Sequence, residues 1–254
     1  MSKVLVTGSA RSFRFHLTKV LLGLGMDALG VDDLNDYYDP QLKINKIENL
    51  NVFVKEFDIS QSHYFSKLDI RDEAVLKSLF QDHKFEVVIN LAAQTGVRYS
   101  LEQPKAYIDS NIVCFANILK CCRHTKVSHL LLASSSSVYG LNTKKPFSTE
   151  DNTDYPISLY LATKKSNELL AHSYSHLCTM PLTGVRFFTV YGPYSHLDMV
   201  HYSFTKAISK GNSIDVFNLG IMQRDFTYID DIVEGIVRLI DLIPLPQALT
   251  TPTQ

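Results

Sequence analysis

Tyr160 and Lys164 stand one helical turn apart, which places a phenol and an ammonium on the same helix face. A cation beside a tyrosine favours the phenolate and is expected to lower its pKa, giving a general base near neutral pH. The Y-x-x-x-K spacing is common by itself, so its surroundings matter. Upstream, Ala133-Ser134-Ser135-Ser136-Ser137-Val138-Tyr139-Gly140 follows a buried apolar run, at the sheet edge where open α/β folds bind ligands. Four hydroxyls there are hard to explain as packing, and a serine bonding a substrate hydroxyl beside Tyr160 and Lys164 makes a coherent proton-transfer group. A second constellation lies near the N-terminus. Gly8 ends a first apolar strand, and Asp32 closes a second, where a carboxylate can bond a ribose diol. The intervening turn, Val6 to Leu17, holds one glycine, so its pattern alone is no dinucleotide fingerprint.

The elements that must position these groups alternate between apolar bursts and amphipathic stretches. Lys3–Thr7, Ala28–Asp32, Glu86–Leu91, His129–Ala133 and Leu182–Phe188 read as buried strands. Phe15–Leu24 reads as a helix with Phe15, Val20, Leu21 and Leu24 on its apolar face and Gly25 as its stop. The rhythm predicts an α/β fold: a Rossmann-type, doubly wound parallel sheet covered on both faces through right-handed crossovers. Beyond Phe188 we expect a helix over Asp198–Lys210, a short strand over Ile214–Phe217 and a helix over Ile229–Leu242. The expected division is a Rossmann domain over 1–188, a small, incomplete C-terminal substrate subdomain over 189–243, and a frayed tail over 244–254.

Composition narrows the class. A chain of 254 residues can bury roughly 70% of its unfolded surface without disulfides or metals. With 45% hydrophobic residues, 20% charged residues and a net charge of −1, nothing argues for nucleic acid or an anionic membrane as a partner. No apolar run approaches a transmembrane span, and the N-terminus lacks the form of a signal peptide. The cysteines Cys114, Cys121, Cys122 and Cys178 lack metal-binding spacing, and the nine histidines show no paired motif. The expectation is structural thiols in a reducing cytoplasm, with no metal.

Long strings carry a resemblance. Leu34-Asn35-Asp36-Tyr37-Tyr38-Asp39, Asn90-Leu91-Ala92-Ala93-Gln94, Gly96 to Glu102, Ser134 to Asn142, Arg186 to Pro193 and Arg224 to Asp231 resemble the extended short-chain dehydrogenase/reductases. Within them, the chain is most similar to nucleotide-sugar epimerases of the UDP-glucuronate 4-epimerase type, from about Lys3 to Leu242. The resemblance implies a catalytic trio of Ser135, Tyr160 and Lys164, with NAD as cofactor. Gly8, Arg11, Asp32, Asp69 and Ile70 would hold its adenosine and diphosphate half, Ala92, Ala93 and Gln94 would line its middle, and Lys164 would bond the nicotinamide ribose. Arg98, Ser100, Ser136, Ser137, Thr189, Val216, Phe217 and Arg224 would meet the UDP-sugar. Ser136 and Ser137 stand where related dehydratases and decarboxylases carry acidic residues, which favours epimerisation through a 4-keto sugar. The family's homodimer would use helices near 104–124 and 158–177.

The chain also departs from the family pattern. G-x-x-G-x-x-G becomes Gly8-x-x-Arg11-x-x-Arg14. Arg11 is expected to fold outward and pair with phosphate, since guanidinium suits phosphate geometry. Arg14 is expected to distort the loop, because a buried unpaired charge costs several kcal/mol. Gly-Pro-Trp-Gly-Arg-Pro-Asp-Met becomes Gly192 to Met199, with His196 in place of the arginine's charge. Relatives continue beyond position 254, so an uncovered apolar surface is expected over 189–242. These departures leave two readings open: a working epimerase, or a non-catalytic homologue that keeps the fold as a dimer partner.

Overall fold

The computed structural model describes residues 2–37, 39–59, 64–97, 99–195, 199–221 and 223–245, without the side chains of His201, Phe217 and Asn218. Six parallel strands form the central sheet in the order β3-β2-β1-β4-β5-β6: β1 Lys3–Thr7, β2 Asp27–Asp32, β3 Phe65–Lys67, β4 Val87–Asn90, β5 His129–Ser135 and β6 Leu182–Phe187. The order reverses between β1 and β4, where Thr7 lies opposite Asn90. A crevice therefore opens at the carboxyl ends of these strands.

Alternation along each buried strand splits the core in two. Val4, Val6, Val87, Ile89, Leu131 and Ala133 face one side, where α1 Ser12–Gly23, α2 Pro40–Glu56 and α9 Ile229–Ile240 cover them. Leu5, Val88, Leu130 and Leu132 face the other, against α3 Glu73–His83, α6 Cys114–Thr125 and α7 Leu159–Cys178. Burial on both faces accounts for the unbroken apolar runs of β1, β4 and β5, whereas β6, expected to be buried, lies at the sheet edge and is only half-buried. Helix starts carry their own signals. Asp72 accepts from the backbone N–H groups of Ala74 and Val75, and Ser158 accepts from that of Leu161.

α1 starts three residues earlier than Phe15 and presents a different face from the one expected. Phe15 and Leu21 are buried, but so are Leu17 and Leu22, whereas Val20 and Leu24 face solvent. The early start shifts which residues meet the sheet. Gly25 does end the helix, at φ +76°. α3 falls in the helix-like stretch ahead of the Glu86 run, whereas α2 and β3 lie where no element was expected.

The C-terminal region packs back onto the first core. α9 lies against α1, and its Ile229, Val233, Ile236 and Ile240 belong to the first core. β7 Thr189–Tyr191 pairs in parallel with β8 Phe226–Tyr228 as a separate two-stranded sheet. α8, Val200–Ser209, falls where a helix was expected. The strand expected over Ile214–Phe217 is absent: Ile214–Val216 is irregular and Phe217–Gly220 forms a 3₁₀ turn. Val216 is 56% exposed, so no facing surface supports a strand there. The tail from Pro246 onward and the substituted His196 lie outside the described residues.

Candidate active site

The strand ends at the sheet reversal deliver most of the expected dinucleotide residues to one place. Gly8, Arg11, Asp32, Asp69, Ile70, Ala92, Ala93 and Gln94 all line a single cavity. Gly8 sits at φ +71°, and a side chain there would begin 3.0 Å from the Ala92 Cα. That cradle is one only glycine leaves open. Gln94 is 5% exposed. The Tyr107 hydroxyl lies near its side chain, yet its Nε2 meets no acceptor at hydrogen-bond geometry among the described residues. A buried donor of this kind fits a ligand acceptor. The cavity residues thus suit the adenosine and diphosphate half of a dinucleotide.

Both arginines turn inward. Arg11, expected to fold outward, is 6% exposed and donates to the Ala93 carbonyl oxygen at 3.3 Å and to Asn35 Oδ1 at 3.1 Å. Carbonyl and amide oxygens inside the crevice replace water around its guanidinium. Arg14 is equally buried and lies over Gly8, with Nη1 2.9 Å from where a Gly8 side chain would begin. The loop distortion is concentrated next door: Ser12, the first residue of α1, is held at φ +26°, a conformation unfavourable for a residue with a Cβ. Asp32 is engaged too. Its Oδ1 accepts from the Leu34 backbone N–H at 2.9 Å and from Lys43 Nζ at 3.4 Å. Burial lowers the Lys43 pKa, and the Asp32 carboxylate opposes that shift.

The expected trio meets at the end of β5. Ser135 closes the strand, and its hydroxyl is in hydrogen-bond contact with the Tyr160 phenol. Lys164, one turn further along α7, is buried and donates from Nζ to the Ala133 carbonyl oxygen at 2.8 Å. The electrostatics differ from the expectation. Burial raises the Tyr160 pKa above its ordinary value, while the Ser135 hydrogen bond and the Arg14 charge pull in the other direction. Lys164 is itself pushed down to about 7, first by burial and then by the Arg14 cation. Sequence spacing shows a neighbouring cation but not the desolvation that both groups share.

The serines divide their work. Ser134 donates to Glu168 Oε1 at 2.6 Å, and Arg186 meets the same carboxylate at 2.9 and 3.0 Å. One of the four hydroxyls is therefore structural. Burial alone would raise the Glu168 pKa, and the bonds from Arg186 and Ser134 outweigh it. Ser136 and Ser137 form a 3₁₀ turn whose Ser137 N–H donates to Ser135 Oγ at 3.2 Å.

The expected substrate residues are less gathered. Ser100 is buried and donates to the Val97 carbonyl oxygen, so its hydroxyl is committed to its own loop. Thr189 opens β7, while Val216 and Arg224 are exposed. Arg98 and the Phe217 side chain lie outside the described residues. Among the described residues, no group of three or more metal-ligating side chains is arranged to hold an ion, and no helix is long and apolar enough to cross a membrane.

Sequence reasoning missed the residue that ties the two halves together. Asn111 accepts from the Gln94 backbone N–H at 2.8 Å and donates to the Gln94 carbonyl oxygen and to Thr163 Oγ1. It thereby locks the end of β4 to α7 beside Tyr160. It lies in a π-helical turn, Ile108–Val113, linking α5 (Pro104–Tyr107) to α6. Such turns mark functional sites, but an asparagine in a helical stretch carries no distinctive sequence signal. Tyr107, also missed, packs edge-on against Tyr160 at 6.2 Å.

Comparison with known proteins gives a consistent picture. A model of the NAD dependent epimerase/dehydratase family matches residues 4–247. The chain is 53% identical over 238 residues to Protein CapI of Staphylococcus aureus, covering 94% of this chain and 69% of that protein. It is 48% identical over 245 residues to UDP-glucuronate 4-epimerase 3 of Arabidopsis thaliana, covering 94% of this chain and 54% of that one. Thus it spans just over half the length of that plant relative. A crystal structure of UDP-glucuronic acid 4-epimerase from Bacillus cereus, in complex with UDP-glucuronic acid and NAD, matches with a TM-score of 0.83 at 32% identity, covering 94% of this chain and 73% of that one.

Proposed function

From the premise that the chain belongs to the NAD dependent epimerase/dehydratase family, we propose that it inverts C4 of a UDP-hexuronic acid, interconverting UDP-glucuronate and UDP-galacturonate. The observation that carries this reading is the meeting of Ser135, Tyr160 and Lys164 at the carboxyl end of β5. When bound, the dinucleotide supplies a reversible hydride acceptor, so the overall reaction is redox-neutral. Tyr160 takes the proton of the sugar 4-hydroxyl as C4 is oxidised and returns it after the 4-keto sugar turns over. Ser135 holds that hydroxyl against the phenol. Lys164, at about 7 without a ligand, becomes a firmer ammonium once acceptor oxygens replace its present surroundings, and then stabilises the phenolate. Ser136 and Ser137, beside this group, suit a substrate carboxylate because hydroxyls bond it without repulsion.

Thr189, Val216 and Arg224, together with Arg98 and Phe217, are the residues we assign to the nucleotide-sugar, on the family pattern. A homodimer through 104–124 and 158–177 is part of the same reading, supported by the exposed Ile108, Val113, Leu169 and Leu177 on those helices. Four free thiols support action in the cytoplasm. A second reading, a non-catalytic homologue retained as a dimer partner, is favoured by one observation: Tyr160, Lys164 and Ser135 do not line the cavity that holds the dinucleotide residues. Conversion of UDP-glucuronate by the full chain, compared with Tyr160→Phe, decides between them. The enzyme reading requires at least about a hundredfold loss in the variant, and equal rates in both chains overturn it.

A further inference from the structure

The serine hydroxyls that the proposed reaction uses sit on one short segment. Ser135 ends β5, and Ser136 and Ser137 open the 3₁₀ turn Ser136–Tyr139. Ser135 Oγ accepts from the Ser137 backbone N–H at 3.2 Å and also meets the Tyr160 phenol. The turn and the proton-transfer group therefore share one placement.

What fixes the ends of this segment lies outside it. Ser134, opposite Arg186 in the β5–β6 register, donates to Glu168 Oε1 at 2.6 Å. Arg186 grips the same carboxylate through both Nε and Nη2. Its guanidinium also lies over the Tyr139 ring, 5.0 Å from the centroid, and that ring stacks on Phe147 at 4.6 Å. One ion pair thus holds the residue before Ser135 with its carboxylate and the last residue of the turn with its cation. The carboxylate comes from α7, one turn beyond Lys164, and the cation from β6. Stability alone gives the pair little to do. Its side chains are 17% and 20% exposed, and ion pairs reached by water contribute weakly. Ser134 and Tyr139, which it holds, are both buried.

We propose that Glu168 and Arg186 are positioning residues that act through the serine turn: the pair sets Ser135 against Tyr160 and aims Ser136 and Ser137 at the substrate carboxylate, so that preference for a uronic acid depends on two side chains behind the turn. The proposal rests on the epimerase reading and on the role given there to these serines. Glu168→Gln keeps the side chain's size and an acceptor for Ser134 but removes the charge that orders Arg186 over Tyr139. Both ends of the segment then loosen, and a displacement of about 1 Å is enough for a large loss of rate. Arg186→Lys keeps the charge but not the planar fork that spans Glu168 and Tyr139 together.

The test pairs binding with turnover. The full chain, in excess NAD⁺, is titrated calorimetrically with UDP-glucuronate and separately with UDP-glucose, which has no carboxylate. The unsubstituted chain should bind UDP-glucuronate about tenfold more tightly. Glu168→Gln and Arg186→Lys should each erase that preference while changing the Kd of UDP-glucose by less than about twofold. Glu168→Gln should also lower kcat for UDP-glucuronate about tenfold. A merely structural pair predicts a lower unfolding midpoint for Glu168→Gln with preference and kcat intact, and full rescue by Arg186→Lys; that pattern overturns the proposal. If Glu168→Gln does not fold, retention of the preference by Arg186→Lys overturns it alone. Equal binding of the two sugars by the unsubstituted chain overturns it as well. A chain that shows the preference, loses it in these variants and converts no UDP-glucuronate supports the proposal and refutes only the enzyme reading. One that converts UDP-glucuronate as fast and as selectively after Glu168→Gln does the reverse.

Discussion

Replacing Lys164 with methionine should change how stability responds to alkali. The ammonium is buried, and its pKa falls from 10.5 to about 7 in the folded chain. Between those values the unfolded chain holds a proton that the folded chain has released, so stability rises with pH across that window. Below pH 7 both states hold the proton, and the contribution is flat. A tenfold change in proton affinity between the two states is worth about 1.4 kcal/mol. Allowing for half-protonation at the lower limit, the unsubstituted chain should gain about 2 kcal/mol from pH 7 to pH 9 through this one group. Lys164→Met retains most of the side chain's length and removes that gain. Lys46, with its pKa lowered to about 8, contributes a similar slope, but it is present in both chains and cancels in the difference. The assay is urea unfolding followed by far-UV circular dichroism, since the chain has no tryptophan, at half-unit steps from pH 6 to 9.5. The two stability curves should converge below pH 7 in slope and diverge above it. Parallel curves across the whole range would refute the assignment of a desolvated ammonium to this position.

Two further outcomes follow from packing and backbone geometry. Ile236→Ala should cost about 2–4 kcal/mol in urea unfolding, because Ile236 is 2% exposed and sits in the first core. A loss below about 1 kcal/mol would mean that α9 is only loosely attached. Ser12→Gly should raise stability by about 1 kcal/mol, because glycine accepts the φ of +26° that serine resists. An unchanged or lower midpoint would show that the N-terminus of α1 is not strained.

How much of this was legible depended on the kind of signal each part carries. Val4 to Val6, Val88 and Leu130 to Leu132 are buried on both sheet faces, so their strands stand out as continuous apolar runs. α2 buries only Lys43, Leu50 and Val54 among its described residues, too little to give a clear periodicity. Val216 was read as a strand residue on propensity alone, whereas a strand needs a neighbour to pair with. At the site, Tyr160 and Lys164 could be anticipated from their spacing, and Ser135 was singled out from its neighbouring serines by the family resemblance. The protonation of Tyr160 and Lys164 could not be anticipated, because it depends first on burial and then on the charge of Arg14, a residue distant in sequence. The inward turn of Arg11 was hidden for a related reason: its acceptors, Asn35 and Ala93, come from two other strand ends.

The contact between α1 and α9 has a consequence for synthesis. Leu17 and Leu21 emerge early and belong to the same buried cluster as Val233, Ile236 and Ile240, which are translated more than 200 residues later. At roughly 5–20 residues per second, the ribosome needs about 10–40 s to deliver the helix that covers them. During that interval the first βαβ unit is a nascent species with apolar surface on view, and its completion waits on contacts of very long sequence separation. The completion of this core during translation is therefore set by where the chain places its last described helix.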